Sequence, residues 1–301
     1  MSGDRMVVGY DGSPAGAAAA EWAAVAAERW GRPLRVVHAI PWPIVRTASG
    51  TATVVGLEQI RGVAERLLDK SCRDIRAGHP GLVIEAEVVV GDPVAVLVGE
   101  AAEASMLVLG SRGLGELRDL AAGSVMTHLA THAPCPVVVV PAGWLERTDV
   151  RDEIVVGVDG SELSAAAIGF GFEYAELTGG SLTALLAWHD PQSIGPGDIV
   201  PAVYDVDALE QDSAAVLGEA LAGQAVDHPD VKTTEKLVRG PAANALVDAS
   251  RTARLLVVGS RGRGRFRGLL LGSVSRAVLN HAQCPVAVVR TTGEAKEQDN
   301  G

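Results

Sequence analysis

The chain has 301 residues, 48% of them apolar and 4% aromatic, with four lysines and a formal net charge of −11. That length suits two ordinary domains, and the acidic balance argues against a general nucleic-acid binder, which needs a basic field to gather phosphates. No apolar run is long enough to span a bilayer, the first residues lack a signal-peptide core, and Cys72, Cys135 and Cys284 form no C-x-x-C. No membrane association and a cytoplasmic location with buried free thiols are therefore expected.

In chain order, "MVVGY" reads as a short buried strand leading to Asp11. Ser13 and Pro14 follow as helix cap and first helical residue, a place where the missing proline N–H costs nothing. The helix "AGAAAAEWAAVAAERWG" runs to near Gly31, with Trp22, Val25 and Trp30 in core and rim packing. "LRVVHAI" is the second strand, and a loop rich in Pro, Thr and Gly is expected from Pro41 to Gly56. The next helix carries Ile60, Val63, Leu67, Leu68 and Ile75 on one face at the 3.6-residue period. "VIEAEVVV", a helix after Pro93, "MLVLG", a helix after Ser124 and "CPVVVV" complete five strands and four helices. Strands apolar on both faces and separated by helices imply a parallel sheet covered on both sides. The expected fold class is α/β, a doubly wound Rossmann-like domain with strand order 3-2-1-4-5.

This course is then repeated. "VVGYDGS" at Val7–Ser13 returns as "VVGVDGS" at Val155–Ser161, "VLGSRG" at Val108 as "VVGSRG" at Val257, and "HAPCPVVVV" at His132 as "HAQCPVAVV" at His281, at an offset of 148 or 149 residues. A repeat of that length is a domain. The expected organisation is a first domain over 1–143, a linker over 144–151, a second domain over 152–292 and a disordered tail over 293–301.

Two sequence signals converge on one crevice in each half. In a doubly wound sheet, ligands bind beyond the carboxyl ends of the strands, where the strand order reverses. Asp11 ends strand 1 and Gly110 ends strand 4, and Asp159 and Gly259 do the same in the second half. The stretch "GSRGLGELRDLAAGS" (Gly110–Ser124) matches "GSRGRGRFRGLLLGS" (Gly259–Ser273) at every anchoring glycine, and neither ends as a P-loop or accepts G-x-G-x-x-G. Gly110 and Gly113 would let the backbone approach a ligand without a Cβ. Gly123-Ser124 would return the chain to a helix start whose N–H groups suit an anion, with Ser124 as cap or phosphate ligand. A strand-end carboxylate such as Asp11 suits ribose hydroxyls. The expected ligand is a mononucleotide.

G-x-x-G, nine residues and then G-[ST], after an early strand-end Asp, resembles the ATP-binding subgroup of the universal stress protein family, in its tandem form known from mycobacteria and other actinobacteria. The resemblance covers essentially the whole chain. It implies ATP, with or without Mg²⁺, held in the first half by Asp11, Gly12, Ser13, Gly110, Arg112, Gly113, Gly123 and Ser124. In the second half the matching set is Asp159, Gly160, Ser161, Gly259, Arg261, Gly262, Gly272 and Ser273. It also implies main-chain contact to adenine at Ala39 and Ala187, and helix-start N–H groups from Val125 and Val274. Family members often dimerise, so a homodimer is a further implication, as is pairing of the two halves through the last strand of each, Pro136–Val140 and Pro285–Val289.

Other readings of the same residues stand beside this one. D-G-S is ordinary turn chemistry. The first glycine stretch is charge-balanced, whereas Arg261, Arg263, Arg265 and Arg267 give the second a charge of +4, which is either a solvated loop or a tighter triphosphate site. The histidines show no zinc spacing and there is no G-x-S-x-G, so no metal site and no hydrolase elbow are expected. A nucleotide-dependent stress-response regulator is the leading expectation. A slow ATPase or phosphoryl-transfer enzyme is the alternative, short of a phosphate-loop lysine and a second carboxylate, and a nucleotide-free scaffold is the third.

Overall fold

The structure is a computed structural model describing residues 3–42, 44–46, 52–54, 56–111, 124–188, 205–262 and 271–291. The chain forms two compact units, Met1–Thr148 with Pro285–Gly301, and Asp149–Cys284.

In the first unit, β1 (Arg5–Gly9), β2 (Leu34–Ile40), β5 (Ile84–Val90), β6 (Ala104–Gly110) and β7 (Val137–Val140) form a parallel sheet in the order β5-β2-β1-β6-β7. Met6, Val7 and Val8 on β1 and Met106, Leu107 and Val108 on β6 are fully buried, as central strands covered on both faces must be. The order differs in detail from a bare five-stranded domain. Within residues 41–56, expected to be a loop, two short strands pair antiparallel, β3 (Ile44–Arg46) and β4 (Ala52–Val54). The last strand of the chain, β12 (Val286–Val289), pairs antiparallel with β7, Val286 opposite Val139 and Val288 opposite Val137. It groups with the first unit, where it gives an otherwise open edge of valines a backbone partner.

Helices α1 (Pro14–Arg29), α2 (Leu57–Gly78), α3 (Pro93–Ala101) and α4 (Ser124–His132) connect these strands. Ser13 caps α1, its Oγ accepting from Gly16 N at 2.9 Å, and Pro14 opens the helix. Eight alanines of α1 are buried, which lets the helix lie close on the sheet. Asp92 caps α3 by accepting from Val94 N and Ala95 N, both at 3.0 Å. On α2, Leu68 and Ile75 are buried as expected, but Ile60, Val63 and Leu67 are 41%, 49% and 37% exposed. The apolar period there marks a wall near the strand ends rather than core.

The second unit repeats the plan with β8 (Glu153–Val158), α5 (Glu162–Thr178), β9 (Ser181–Trp188), α6 (Val206–Asp227), β10 (Thr233–Arg239), α7 (Ala242–Ala249), β11 (Leu255–Gly259) and α8 (Ser273–His281). Its strands run parallel in the order β10-β9-β8-β11. No helix among the described residues is long and apolar enough to cross a membrane. All three cysteines are free and buried, and burial pushes the Cys135 thiol up to about 12, so it stays protonated at neutral pH.

One histidine tie recurs in both units. His79, at the end of α2, reaches back to α1, with Nδ1 2.9 Å from Glu28 and Nε2 3.2 Å from Glu21. His228, 149 residues on, sits at the end of α6 with Nδ1 2.9 Å from Glu176 and its ring stacked on Phe172. Burial alone would lower the His79 pKa, but the two hydrogen-bonded carboxylates outweigh it and the pKa is raised. A folded-state value above the unfolded one means that this tie contributes fully below about pH 6.5 and is lost as pH rises through the raised value. His79→Gln is therefore expected to cost about 1 kcal/mol at pH 6 and clearly less at pH 9, measured by denaturant unfolding at both pH values. An equal cost at both would show that charge plays no part in the tie.

Candidate functional site

The site is built at the carboxyl ends of the central strands, and its first component is a turn. In the second unit β8 ends one residue before Asp159, and Gly160 follows with φ +74°, a conformation that favours glycine. Asp159 Oδ1 accepts from Ser161 N at 3.0 Å and from Ser161 Oγ at 2.6 Å. Ser161 Oγ in turn accepts from Ser164 N at 3.2 Å and caps α5. The first unit repeats this with Asp11 Oδ1 accepting from Ser13 N at 2.9 Å and Gly12 at φ +81°. The turn chemistry and the strand-end carboxylate are thus one device: the same bonds that shape the turn hold each carboxylate at the sheet end.

The second component is the neighbouring strand's end. Gly110 closes β6, and a Cβ there would stand 2.6 Å from the Ala15 carbonyl carbon and 2.8 Å from Gly16 N. The start of α1 therefore already requires a glycine here, a packing reason that the sequence did not show. Gly259 plays the same part against Leu163, with a Cβ at 3.1 Å from its carbonyl oxygen. Arg112, Gly113 and Gly123 lie outside the described residues, as do Arg263, Arg265 and Arg267, so the contrast in loop charge lies outside them too.

The second unit shows where its glycine stretch leaves and returns. Gly262 lies against the Asp159 carboxylate, so that a Cβ would collide with Oδ2. Gly272 N donates to Ser260 O at 2.9 Å, which closes the loop beside Arg261. Ser275 Oγ then donates to Gly259 O at 2.7 Å, a tie between α8 and β11 that sequence reading did not single out. The N-cap of α8 is Gly272, with no side-chain cap. Ser273 is the first helical residue and does not cap. The N–H groups of Ser273, Val274 and Ser275 are left at an uncapped helix start, where an anion is favoured. In the first unit Ser124 likewise opens α4, with Val125 next.

Beside this lies a recess of about 350 Å³ lined by Asp159, Leu186, Ala187, Trp188, Leu209, Asp212, Ser213 and Val216. It brings together the strand-end Asp and the expected adenine-contact residue Ala187. Trp188 forms one wall, with the Arg239 guanidinium 5.6 Å from its ring centre. Leu186, Asp212 and Ser213 were not expected from sequence; aligning the two halves on their second long helices would have singled out the polar pair. The matching position to Leu186 in the first unit is His38, next to Ala39 on β2. His38 is 9% exposed and its Nδ1 is buried without a hydrogen-bond partner. Burial lowers its pKa against a weaker upward pull from Asp11, so the ring is neutral at pH 7.

A larger recess, about 470 Å³, opens at the amino ends of the first unit's strands around Arg5, Arg35, Glu85 and Glu103. Its charges answer one another: Arg35 bonds Glu100 at 2.6 and 2.8 Å and Glu87 at 2.6 Å, and Arg5 bonds Glu103 at 3.0 Å. Lying away from the helix starts and with its ions already paired, it is the weaker candidate despite its size. No group of histidine, cysteine or acidic residues able to hold a metal occurs among the described residues.

The universal stress protein family model matches residues 3–141 and 151–290. A universal stress protein of Mycolicibacterium smegmatis is 34% identical over 288 residues, covering 95% of this chain and 96% of its own. One from Mycobacterium tuberculosis strain H37Rv is 36% identical over 292 residues, with the same coverage of each. Among solved structures, a universal stress protein from Archaeoglobus fulgidus superposes with a TM-score of 0.67 at 18% identity, over 96% of this chain and 99% of its own.

The two glycine roles separate experimentally. Gly110→Ala drives a methyl into main chain and is expected to cost about 2 kcal/mol in denaturant unfolding of the full chain. Gly262→Ala meets only the movable end of Asp159 and should stay within about 0.5 kcal/mol of wild type. Equal losses would contradict the assignment of Gly110 to packing and Gly262 to the site.

Proposed function

Because this chain belongs to the universal stress protein family, as a tandem of two such domains, we propose that it binds ATP at the carboxyl ends of both sheets and acts as a nucleotide-dependent regulator in the cytoplasm. The observation that carries the reading is the second unit's recess, where Asp159 and Ala187 line a space of about 350 Å³, while Gly262 lies against the same carboxylate and α8 starts without a side-chain cap.

The residues fit an adenine nucleotide in parts. Ala187 offers main chain at the end of β9 to the base edge, Trp188 an aromatic wall, and Asp159 an acceptor for ribose hydroxyls. Phosphates would lie across Gly259–Gly262 toward the N–H groups of Ser273 and Val274, with Arg261 as the near cation. Asp11, Gly12, Ser13, Ala39, Gly110, Ser124 and Val125 are the matching set in the first unit. Mg²⁺ would travel with the nucleotide, held by its phosphates rather than by a protein cage. Binding is favoured over dedicated turnover because neither glycine stretch contains a lysine, and phosphoryl transfer relies on a positioned cation and nucleophile.

The deciding measurement is the adenine nucleotide released on denaturing protein purified without added nucleotide, together with titration of the stripped chain. Two equivalents of ATP per chain are expected, with one lost in Asp11→Ala and the other in Asp159→Ala. A stripped chain that takes up no ATP would end the proposal.

A further inference from the structure

The duplication supplies two versions of one crevice, and they differ at the residues that would face the base. In the second unit the helix wall of the recess is Leu209, Asp212, Ser213 and Val216. Shifted by 149 residues, these become Ile60, Val63, Ala64 and Leu67 on α2. Leu67 stands beside the Asp11 turn, since a Cβ on Gly12 would lie 3.5 Å from its Cδ1. The first wall is thus wholly apolar, whereas the second carries a carboxylate and a hydroxyl. Ser213 Oγ donates to Leu209 O at 2.8 Å, which leaves the oxygen to act as an acceptor. No hydrogen bond or ion pair engages the Asp212 carboxylate among the described residues.

On the strand side the polarity is reversed. His38, with its buried unpartnered Nδ1, occupies in the first unit the position of aliphatic Leu186, which lines the second recess. The two polar groups differ in what they tolerate. An ionised carboxylate only accepts, so where it faces the 6-substituent rather than the N1–H of a 6-oxopurine it favours an amino group and repels a carbonyl oxygen. A neutral imidazole nitrogen accepts in one tautomer and donates in the other, so it suits either.

We propose that Asp212, seconded by Ser213, makes the second site selective for nucleotides of a 6-aminopurine, while the first site, with His38 and an apolar α2 wall, takes 6-amino and 6-oxo purines alike. The inference rests on the nucleotide reading given above and adds to it a division of labour: one site would report adenine nucleotide alone, the other the purine nucleotide pool.

The test is calorimetric titration of the stripped full-length chain with ATP and with ITP, which differs at the 6-position and the adjoining ring nitrogen. Wild type is expected to take two equivalents of ATP but only one of ITP with similar affinity, the other binding at least about tenfold more weakly. Asp212→Asn, whose amide both accepts and donates, should bring the weak ITP site back to within a few-fold of ATP. Two equal ITP sites in the wild type, or an unchanged ratio in Asp212→Asn, would overturn the assignment of Asp212. Failure of ATP itself to bind would instead remove the nucleotide reading, and the selectivity with it.

Discussion

At the end of each unit's fourth parallel strand two stretches of backbone come close enough that a Cβ would crowd them, severely in the first unit and tightly in the second, and the site is arranged around that approach. Gly110 lies against Ala15 and Gly16, and Gly259 lies against Leu163. The distance fixes the start of the first helix relative to the strand, and the Asp-Gly-Ser turn takes up the slack with a glycine at positive φ. Once those positions are set, the Asp carboxylate, the outgoing loop and the start of the next helix have nowhere to be but beside one another. A crevice at the reversal of strand order follows from chain connectivity; what this sequence adds is the glycine that lets it be narrow.

The scaffold and the walls of the crevice have diverged at different rates within one chain. Turn, cap and strand-end glycine recur residue for residue, because each answers a backbone constraint with few alternatives. The His79 and His228 ties recur too, although with two carboxylates in one unit and a carboxylate plus an aromatic ring in the other. By contrast, the side chains that would touch a base differ on both walls. An exposed or half-buried wall position tolerates exchange at small cost to stability, so duplication left these free to change while the frame stayed fixed.

This division also decides what was legible in the sequence. Asp11, Gly12 and Ser13 were readable because turn chemistry is local, and the strands because runs of buried valine have no other use. The antiparallel β7–β12 pair was foreseeable from two apolar edge strands, although its effect of placing β12 in the first unit depends on long-range pairing that no local pattern encodes. The exposure of Ile60, Val63 and Leu67 was not legible because a 3.6-residue period reports one face of a helix, not what that face meets. The packing reason for Gly110 was not legible because it depends on a helix start that lies far away in sequence, 2.6 Å from where a methyl would stand. Asp212 and Ser213 went unnoticed because a polar pair on a helix is ordinary until a recess is seen in front of it.

The start of α8 shows the same logic in energetic form. Helices α1, α3, α5 and α6 each begin with a side-chain acceptor for their first N–H groups, a feature worth about 1 kcal/mol apiece. At α8 a serine stands one position too late to serve, and Gly272 takes the cap position without a side chain. A glycine cap forgoes only a few tenths of that stabilisation, so the helix forms regardless. What it leaves are oriented N–H donors next to Asp159's loop, already in place and needing no reorganisation to meet an anion. The proposed nucleotide would need a carboxylate for its hydroxyls and a helix start for its phosphates, and Asp159 and the start of α8 are the two groups that could supply them.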